Sequence, residues 1–159
     1  MLKWLALSAA LLVADQATKW LVLWTFTVHT SIPVTPFFNL VLVFNPGAAF
    51  SFLASASGWQ REFFIAVAVV ASAWVAYLLR RHAEETRFAL GLSLVLGGAL
   101  GNLIDRVVLG AVVDFLDFHV LGYHWPAFNV ADSGITVGAA LLVWDSLRPR
   151  KSAPISAAR

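Results

Sequence analysis

The stretch FFIAVAVVASAWVAYLL, residues 63–79, contains no charged residue in 17 positions. At about 1.5 Å per residue, a helix of this length nearly crosses the hydrocarbon core of a bilayer, which is about 30 Å thick. The stretch therefore predicts a membrane-spanning helix. The whole chain agrees with this interpretation, because 60% of its 159 residues are hydrophobic and only 13% are charged, whereas soluble domains average about 25% charged residues.

Three further apolar blocks surround this stretch. Together the four blocks predict spans over about residues 4–24, 61–80, 88–108 and 126–145. Pro126 suits the first turn of the last span. The sequence therefore predicts an all-α integral membrane protein with four transmembrane helices, built as one domain over residues 1–148 and followed by a disordered tail, 149–159.

Two features of these blocks favour membrane spans over a signal peptide or a soluble helix. A cleaved signal peptide would also account for the first block, because Lys3 precedes an apolar run. That run, however, continues through ADQATKWLVLW (14–24) without a clean cleavage site. In the third block, Gly97, Gly98 and Gly101 would weaken a soluble helix, but between membrane helices small residues allow close approach of the backbones.

The basic residues predict the orientation of the spans. Positively charged loops remain on the cytoplasmic side. With four spans, eight of the eleven Lys and Arg residues fall on one side: Lys3, Arg80, Arg81, Arg87, Arg148, Arg150, Lys151 and Arg159. The opposite loops, 25–60 and 107–125, contain no Lys or Arg. Both termini are therefore expected in the cytoplasm, with these two loops outside.

The composition of the first outer loop, residues 25–60, indicates that the loop has secondary structure of its own. The segments TFTVHTSIPV (25–34) and FFNLVLVF (37–44) are rich in strand-forming residues, and Pro33, Pro36 and the NPG turn at 45–47 interrupt the loop. We expect a small β-rich periplasmic subdomain on the outer membrane surface. The segment AAFSFLASASGW (48–59) is expected to lie at the interface.

Composition excludes several classes of chemistry. The chain has no cysteine, so it can form neither disulfides nor thiolate metal sites. The net charge of +2 is too small to indicate nucleic-acid binding. A zinc site built from two of His29, His119 and His124 plus an aspartate is conceivable, but no HExxH-like spacing exists. We therefore expect no metal and no cofactor.

Polar residues remain at membrane depth after the loops are set aside. They form four clusters, each toward the outer end of its span or just beyond it: Asp15 with Lys19, Asn102 with Asp105 and Arg106, Asp114 with Asp117, and Asn129 with Asp132. Ionisable residues inside a membrane are expensive and mark functional sites. Four segments that bring polar groups to one depth predict a shared site.

Each cluster allows a structural and a functional role. Asp15 and Lys19 are four residues apart on one helix face, so they can form an ion pair or contact a lipid headgroup or substrate. Asn102 and Arg106 can donate to a carboxylate or an ester carbonyl, or they can join helices beside the glycines. The small residues after Asn45, in NPGAAF, suit either a plain turn or close approach to a peptide.

The aspartates of the last two clusters suggest acid–base chemistry. If Asp114 and Asp132 come together, one pKa rises and the pair shares a proton, so that one can activate water while the other protonates the scissile group. Carboxylates exposed at the interface are the alternative. If this segment is extended, Asp117 lies on the opposite face from Asp114, and it is expected to be solvated. A serine nucleophile, Ser51 or Ser133, with Lys19 as its base, is a second alternative, although Ser133 can also hydrogen-bond locally.

The successive motifs resemble those of bacterial lipoprotein signal peptidases, the type II signal peptidases. They are DQATK (15–19), NPGAAFS (45–51), GGALGNLIDR (97–106), VVDF (112–115) and FNVADS (128–133). They occur in the family's order. The resemblance implies an aspartic endopeptidase of the inner membrane that removes the signal peptide of a diacylglyceryl-modified prolipoprotein just before the lipidated cysteine.

The resemblance also implies roles for individual residues. Asp114 and Asp132 match the catalytic pair. The candidate substrate-binding residues are Asn45, Gly47, Asn102, Asp105, Arg106 and Asn129, with Asp15 and Lys19 in the first motif. The family implies membrane lipids as surroundings, peptide-like inhibitors such as globomycin, an active site toward the periplasmic face, and a monomer.

Two other classes of protein are compatible with four apolar spans. A small four-helix exporter of lipophilic cations would need one buried carboxylate, which Asp15 could supply, and very short loops. The long outer loop and the additional carboxylates argue against it. A scaffold protein would leave the four polar clusters without a purpose.

The orientation can be tested with single cysteines, since the chain has none of its own. A cysteine at Ser57 should react with a membrane-impermeant maleimide in cells whose outer membrane is permeabilised, and a cysteine at Ser152 should react only after the inner membrane is opened. Labelling of Ser152→Cys before that step would contradict the predicted topology.

Overall fold

The computed structural model describes residues 1–47 and 59–147. The predicted tail and almost all of the predicted interfacial segment lie outside these residues. The described chain contains four helices and four short strands, in this order: α1 Leu2–Thr25, β1 Ser31–Thr35, β2 Phe38–Asn45, α2 Gln60–Arg81, α3 Thr86–Val108, β3 Val112–Val120, β4 Tyr123–His124 and α4 Val130–Ser146.

Three of the helices, α1, α2 and α3, are long and apolar enough to cross a membrane. α4 has 17 residues, so a fourth span remains a prediction. Its start differs from the predicted one. Asn129 caps the helix by accepting the N–H of Asp132 at 2.8 Å, so the first turn begins at Val130, and Pro126 lies in the segment before it.

α3 is the central helix and packs against the other three. Its glycines allow this close packing, as predicted. A Cβ atom at Gly101 would lie 2.5 Å from a carboxylate oxygen of Asp15 on α1, and one at Gly98 would collide with the Ala131 carbonyl of α4. The glycines therefore bring α1 and α4 to the polar face of α3.

The strands form one antiparallel sheet in the order β1-β2-β3-β4. The predicted sheet of the first loop is present as β1 and β2. β3 and β4 come from the second loop and were not predicted from the sequence. In the sheet Val43 lies opposite Asp114 and Asn45 opposite Val112. β2 and β3 thereby place the residues of two distant loops side by side.

The sheet covers one end of the helix bundle. Val22 of α1 packs with Leu42, Val113 and Phe115 in a buried apolar cluster. This contact holds β3 against α1. Only three residues separate the start of β3 from the end of α3. We call this the sheet end of the bundle. It is the end at which all of the predicted site residues in the described chain are found.

Candidate active site

Asp114 and Asp132 come together at the sheet end. Asp114 lies on β3 and is 1% exposed, while Asp132 lies in the first turn of α4. Asn102 donates to Asp132 Oδ1 at 2.7 Å, and Asn129 donates both to Asp114 Oδ1 at 2.8 Å and to Asn102 Oδ1 at 3.2 Å. Two side-chain amides thus connect the two aspartates.

A third amide, that of Asn45, reaches Asp114 from the end of β2. Asn45 Nδ2 donates to Asp114 Oδ2 at 2.8 Å, and its Oδ1 accepts the N–H of Gly47 at 2.9 Å. Gly47 has a φ of 116°, which favours glycine. The NPG turn therefore sets the orientation of the Asn45 amide, so that its NH₂ group faces the carboxylate.

Burial and charge raise the pKa of Asp114. The largest cause is removal of the carboxylate from water, and the negative charge of Asp132 adds to it. The hydrogen bonds from Asn45 and Asn129 and the charge of Lys19 act in the opposite direction, and the resulting pKa of Asp114 is about 7. Asp114 can therefore carry a proton near neutral pH.

Behind the two aspartates lies an ion cluster made of Asp15, Lys19 and Asp105, which we call the Lys19 cluster. The Lys19 ammonium contacts Asp15 at 2.8 Å and Asp105 at 2.7 Å, and it donates to Asn102 Oδ1 at 2.9 Å. All three cluster residues are at most 2% exposed. The ion pair that the sequence allowed for Asp15 and Lys19 is present, and Asp105 joins it.

The two carboxylates of the Lys19 cluster hold the backbone beside the catalytic candidates. Asp105 accepts the N–H of Val113 at 3.0 Å, one residue before Asp114. Asp15 accepts the N–H of Ala131 at 2.8 Å, one residue before Asp132. The cluster is therefore linked to both aspartates through their neighbouring peptide groups.

Gln16 is a site residue that the sequence analysis did not identify. Its amide donates to Asp105 at 2.9 Å, to the Gly101 carbonyl at 3.2 Å and to Asp15 at 3.3 Å. The sequence feature that points to Gln16 as a site residue is its position next to Asp15 in the DQATK motif. Its tertiary partner, Asp105, could not be read from local spacing.

Arg106 borders the site at the end of α3. Its guanidinium interacts electrostatically with Asp132, Asp105 and Asp114 and lies 5.4 Å from the ring centre of Phe64. One of its N–H groups donates to the Asn102 carbonyl at 3.2 Å. Arg106 therefore contributes a fixed positive charge at the edge of an otherwise acidic site.

Asp117 corrects an expectation from the sequence. It was expected to be solvated, but it is 7% exposed and accepts hydrogen bonds from Asn39 and His124, both at 2.8 Å. Burial acts to raise the pKa of Asp117, but these hydrogen bonds and the nearby histidine charges outweigh it and lower the pKa. Asp117 is therefore covered by side chains from the strands on either side of it, Asn39 on β2 and His124 on β4.

The other chemistries considered from the sequence find little support. Among residues 1–47 and 59–147, no three metal-binding side chains lie together. Ser133 Oγ donates to the Asn129 carbonyl at 2.9 Å, which is the local hydrogen bond that its position allowed. Lys19 contacts carboxylates and an amide rather than a serine. Ser51 lies outside the described residues.

The geometry suits acid–base hydrolysis. Two carboxylates from different elements share one hydrogen-bonded network, and one of them has a pKa suited to carrying a proton. The amides hold the carboxylates without adding charge. A peptide carbonyl that entered between the aspartates would meet an acid on one side and a base on the other.

Comparison with known proteins agrees with this geometry. Residues 7–148 match the family model described as signal peptidase (SPase) II. A lipoprotein signal peptidase of Ralstonia nicotianae is 58% identical over 145 residues, covering 91% of this chain and 84% of the relative. One from Cupriavidus necator is 58% identical, covering 92% and 84%, and one from Burkholderia thailandensis is 56% identical, covering 91% and 87%.

Two solved structures have a fold similar to that of this chain. A structure described as a bacterial membrane enzyme, solved by the in meso method at 1.9 Å resolution, is similar with a TM-score of 0.85 and 31% identity, covering 94% of this chain and 96% of that one. A second, described in the same words at 2.3 Å, has a TM-score of 0.83 and 31% identity, covering 96% and 95%. The family match over almost the whole length, together with these relatives, shows that the chain belongs to the lipoprotein signal peptidase (signal peptidase II) family.

Proposed function

We propose that this protein is an aspartic endopeptidase that removes the signal peptide from diacylglyceryl-modified prolipoproteins, cutting just before the lipidated cysteine. The observation that carries the proposal is the network in which Asn102 and Asn129 connect Asp132 to Asp114. Family membership supports the substrate class, and the aspartate pair supports the catalytic type.

In the proposed mechanism Asp114 begins as the acid and Asp132 as the base. The raised pKa of Asp114 supports this assignment. Asp132 takes a proton from a water molecule, whose oxygen attacks the scissile carbonyl carbon, and Asp114 gives its proton to the carbonyl oxygen. The tetrahedral intermediate then breaks its C–N bond as the amine takes a proton from Asp132. Asp114 recovers its proton from the intermediate's hydroxyl.

The polar residues around the pair are proposed to hold the peptide and the carboxylates. Arg106 keeps its charge through the reaction and can donate two parallel hydrogen bonds to substrate carbonyls. Asn45, Asn102 and Asn129 donate to the carboxylates in the free enzyme. Gly47 is proposed to hold the turn that presents Asn45 to the substrate, and the ring of Phe64 fills the space that a side chain at Gly47 would need.

The Lys19 cluster, Asp15 with Lys19 and Asp105, is proposed to position the aspartates rather than to contact the substrate. Its burial leaves little surface for a peptide. Its carboxylates accept the N–H groups of Val113 and Ala131, each next to one catalytic aspartate. A shift in either contact would move one aspartate relative to the other.

The sheet end is proposed to face the periplasm, with α4 as a fourth span and both termini in the cytoplasm. The distribution of Lys and Arg supports this orientation. The lipid chains on the substrate cysteine would then remain in the outer leaflet while the scissile bond lies between Asp114 and Asp132. A monomer suffices, because both aspartates come from one chain. Peptide-like inhibitors would occupy the same space as the substrate.

The alternative function, export of lipophilic cations by a small four-helix protein, has less support than peptide hydrolysis. A carboxylate that carries a cation has to face an open cavity, whereas Asp15 is fully buried and contacts Lys19 and the Ala131 N–H. The position of Asp15 therefore favours the peptidase.

The aspartate pair can be tested with three single variants and one double variant. Asp114→Asn and Asp132→Asn should each lower kcat by roughly 10⁴-fold, because residues that act as a unit give losses of this order and their losses do not add. The double variant should be scarcely slower than either single variant. Asp117→Asn is the matched control on the same strand and should keep wild-type activity. Cleavage of a lipid-modified precursor is measured by gel shift; substantial activity in Asp132→Asn would refute the mechanism.

The pH dependence follows from the raised pKa of Asp114. Because the proton is held up to about pH 7, kcat/KM should fall as pH rises through about 7 and Asp114 ionises. The rate should depend on pH through two apparent values that belong to the pair, so a second fall should occur at acidic pH. Replacing Asn45 with Ala removes a hydrogen bond that favours the charged form of Asp114, so the basic limb should move to higher pH. If the basic limb of the pH profile does not move in the Asn45→Ala variant, that limb reports the ionisation of a group other than Asp114.

The positioning role of the Lys19 cluster can be separated from substrate binding. Asp105→Leu removes the acceptor for the Val113 N–H and should lower kcat by roughly 10²-fold, the cost of a small misplacement, with KM little changed. Asp105→Asn keeps an acceptor oxygen and should recover part of the rate. A rise in KM with kcat unchanged would indicate substrate contact instead.

A further inference from the structure

The hairpin between β3 and β4 presents apolar side chains in a row at the far end of the sheet. Val120 is 66% exposed, Leu121 95%, Tyr123 85% and Trp125 70%. Val120 pairs with Tyr123 across the turn. Residues 118–129 contain no Lys, Arg, Asp or Glu. An exposed and uncharged group of this kind is unusual on a surface that faces only water.

The residue at the turn is itself unusual. Leu121 has a φ of 50° and Gly122 a φ of 83°, the left-handed pair that a two-residue hairpin turn needs. The first position of such a turn normally holds Asn, Asp or Gly, which tolerate positive φ. Leu121 accepts this backbone and leaves its side chain almost fully exposed, so neither turn geometry nor packing among the described residues accounts for a leucine here.

The same end of the sheet forms an open apolar depression. Its volume is about 380 Å³, and it is lined by Phe37, Phe118, Val120, Tyr123 and Trp125 with two histidines. Phe37 lies in the turn between β1 and β2, which the register places beside the β3–β4 hairpin. The apolar surface is therefore continuous across both turns at this end.

We propose that the β3–β4 hairpin inserts into the outer leaflet of the bilayer and anchors the sheet to the membrane surface. The first half of β3 packs across the end of α1 through Val113 and Phe115. Asp117 is still buried, but Phe118 and Val120 are exposed, so the end of β3 extends past the bundle. The hairpin is tied to α3 by three residues, 109–111, and to α4 by five, 125–129, which keeps it near the helix ends.

The chemistry of the tip fits a lipid interface better than a protein partner. Tyr and Trp concentrate where hydrocarbon meets headgroups, and Tyr123 and Trp125 flank the aliphatic tip. A standard protein–protein interface needs about 20–30 residues a side, whereas the tip offers four large side chains. α1, α2 and α3 are long and apolar enough to cross the bilayer, so insertion of the tip would extend the same contact with lipid.

Spin labels can measure this insertion in the complete protein, because the chain has no cysteine. A label on Leu121→Cys is compared in liposomes with one on Val70→Cys, 70% exposed at the middle of α2, and one on Glu84→Cys, exposed in the loop between α2 and α3. Power saturation gives the ratio of collisions with oxygen, which concentrates in lipid, to collisions with a water-soluble nickel chelate. We expect the ratio at Leu121 to exceed that at Glu84 severalfold and to approach that at Val70.

A second variant separates insertion from turn geometry. Leu121→Asn suits the left-handed backbone but removes the apolar tip, so a label on Val120→Cys should show a severalfold lower ratio in that background. A ratio at Leu121 equal to that at Glu84 would overturn the proposal and leave the tip to a soluble partner. Low collision rates with both reagents, together with spin–spin broadening that disappears on dilution in lipid, would also overturn it and indicate contact between copies of this chain.

Discussion

The ammonium group of Lys19, buried between two carboxylates, is the interaction on which the site depends. Two of its three contacts join α1 to α3, at Asp105 and Asn102, and the third is to Asp15 on α1 itself. Removing one partner from a buried pair costs about 3–5 kcal/mol, because the other charge is left uncompensated. The cluster therefore holds α1 and α3 in one arrangement. Through Asp15 and Asp105 that arrangement extends to α4 and β3.

Neutral amides, rather than further cations, complete the contacts to the aspartates. Asn45, Asn102 and Asn129 each use the side-chain oxygen to accept a hydrogen bond that orients the amide, and the nitrogen to donate to Asp114 or Asp132. A cation in direct contact would favour the ionised carboxylate and lower its pKa. Amide donors hold a carboxylate in place with a smaller effect on its charge state. This is how one position can be both rigid and able to keep a proton near neutral pH.

The sequence was informative wherever a pattern was local. Apolar runs predicted α1, α2 and α3, and strand-forming residues predicted β1 and β2. Ordered motifs predicted Asp114, Asp132 and their asparagines as site residues, and the structure brings these side chains into one hydrogen-bonded network. The features that could not be predicted depend on contacts between distant segments. β3 is buried by β2, which lies about 70 residues earlier, and Asp117 is buried by Asn39 and His124, which no alternation along one strand reveals. The link from Asp105 to the Val113 N–H also needs tertiary structure, because spacing says nothing about which peptide group a carboxylate meets.

The order of the elements along the chain has a consequence for biogenesis. α4 is the last described element, and it carries Asp132 together with Asn129, which orients Asp114. A nascent chain that has already inserted α1, α2 and α3 and exposed its sheet still lacks the second carboxylate and the amide that joins the pair. If Asp114 and Asp132 are the catalytic pair, as proposed, activity requires that α4 dock against Gly98 and Gly101 of α3. On that proposal, a peptidase made in the same membrane as its substrates stays inactive until its last described helix is in place.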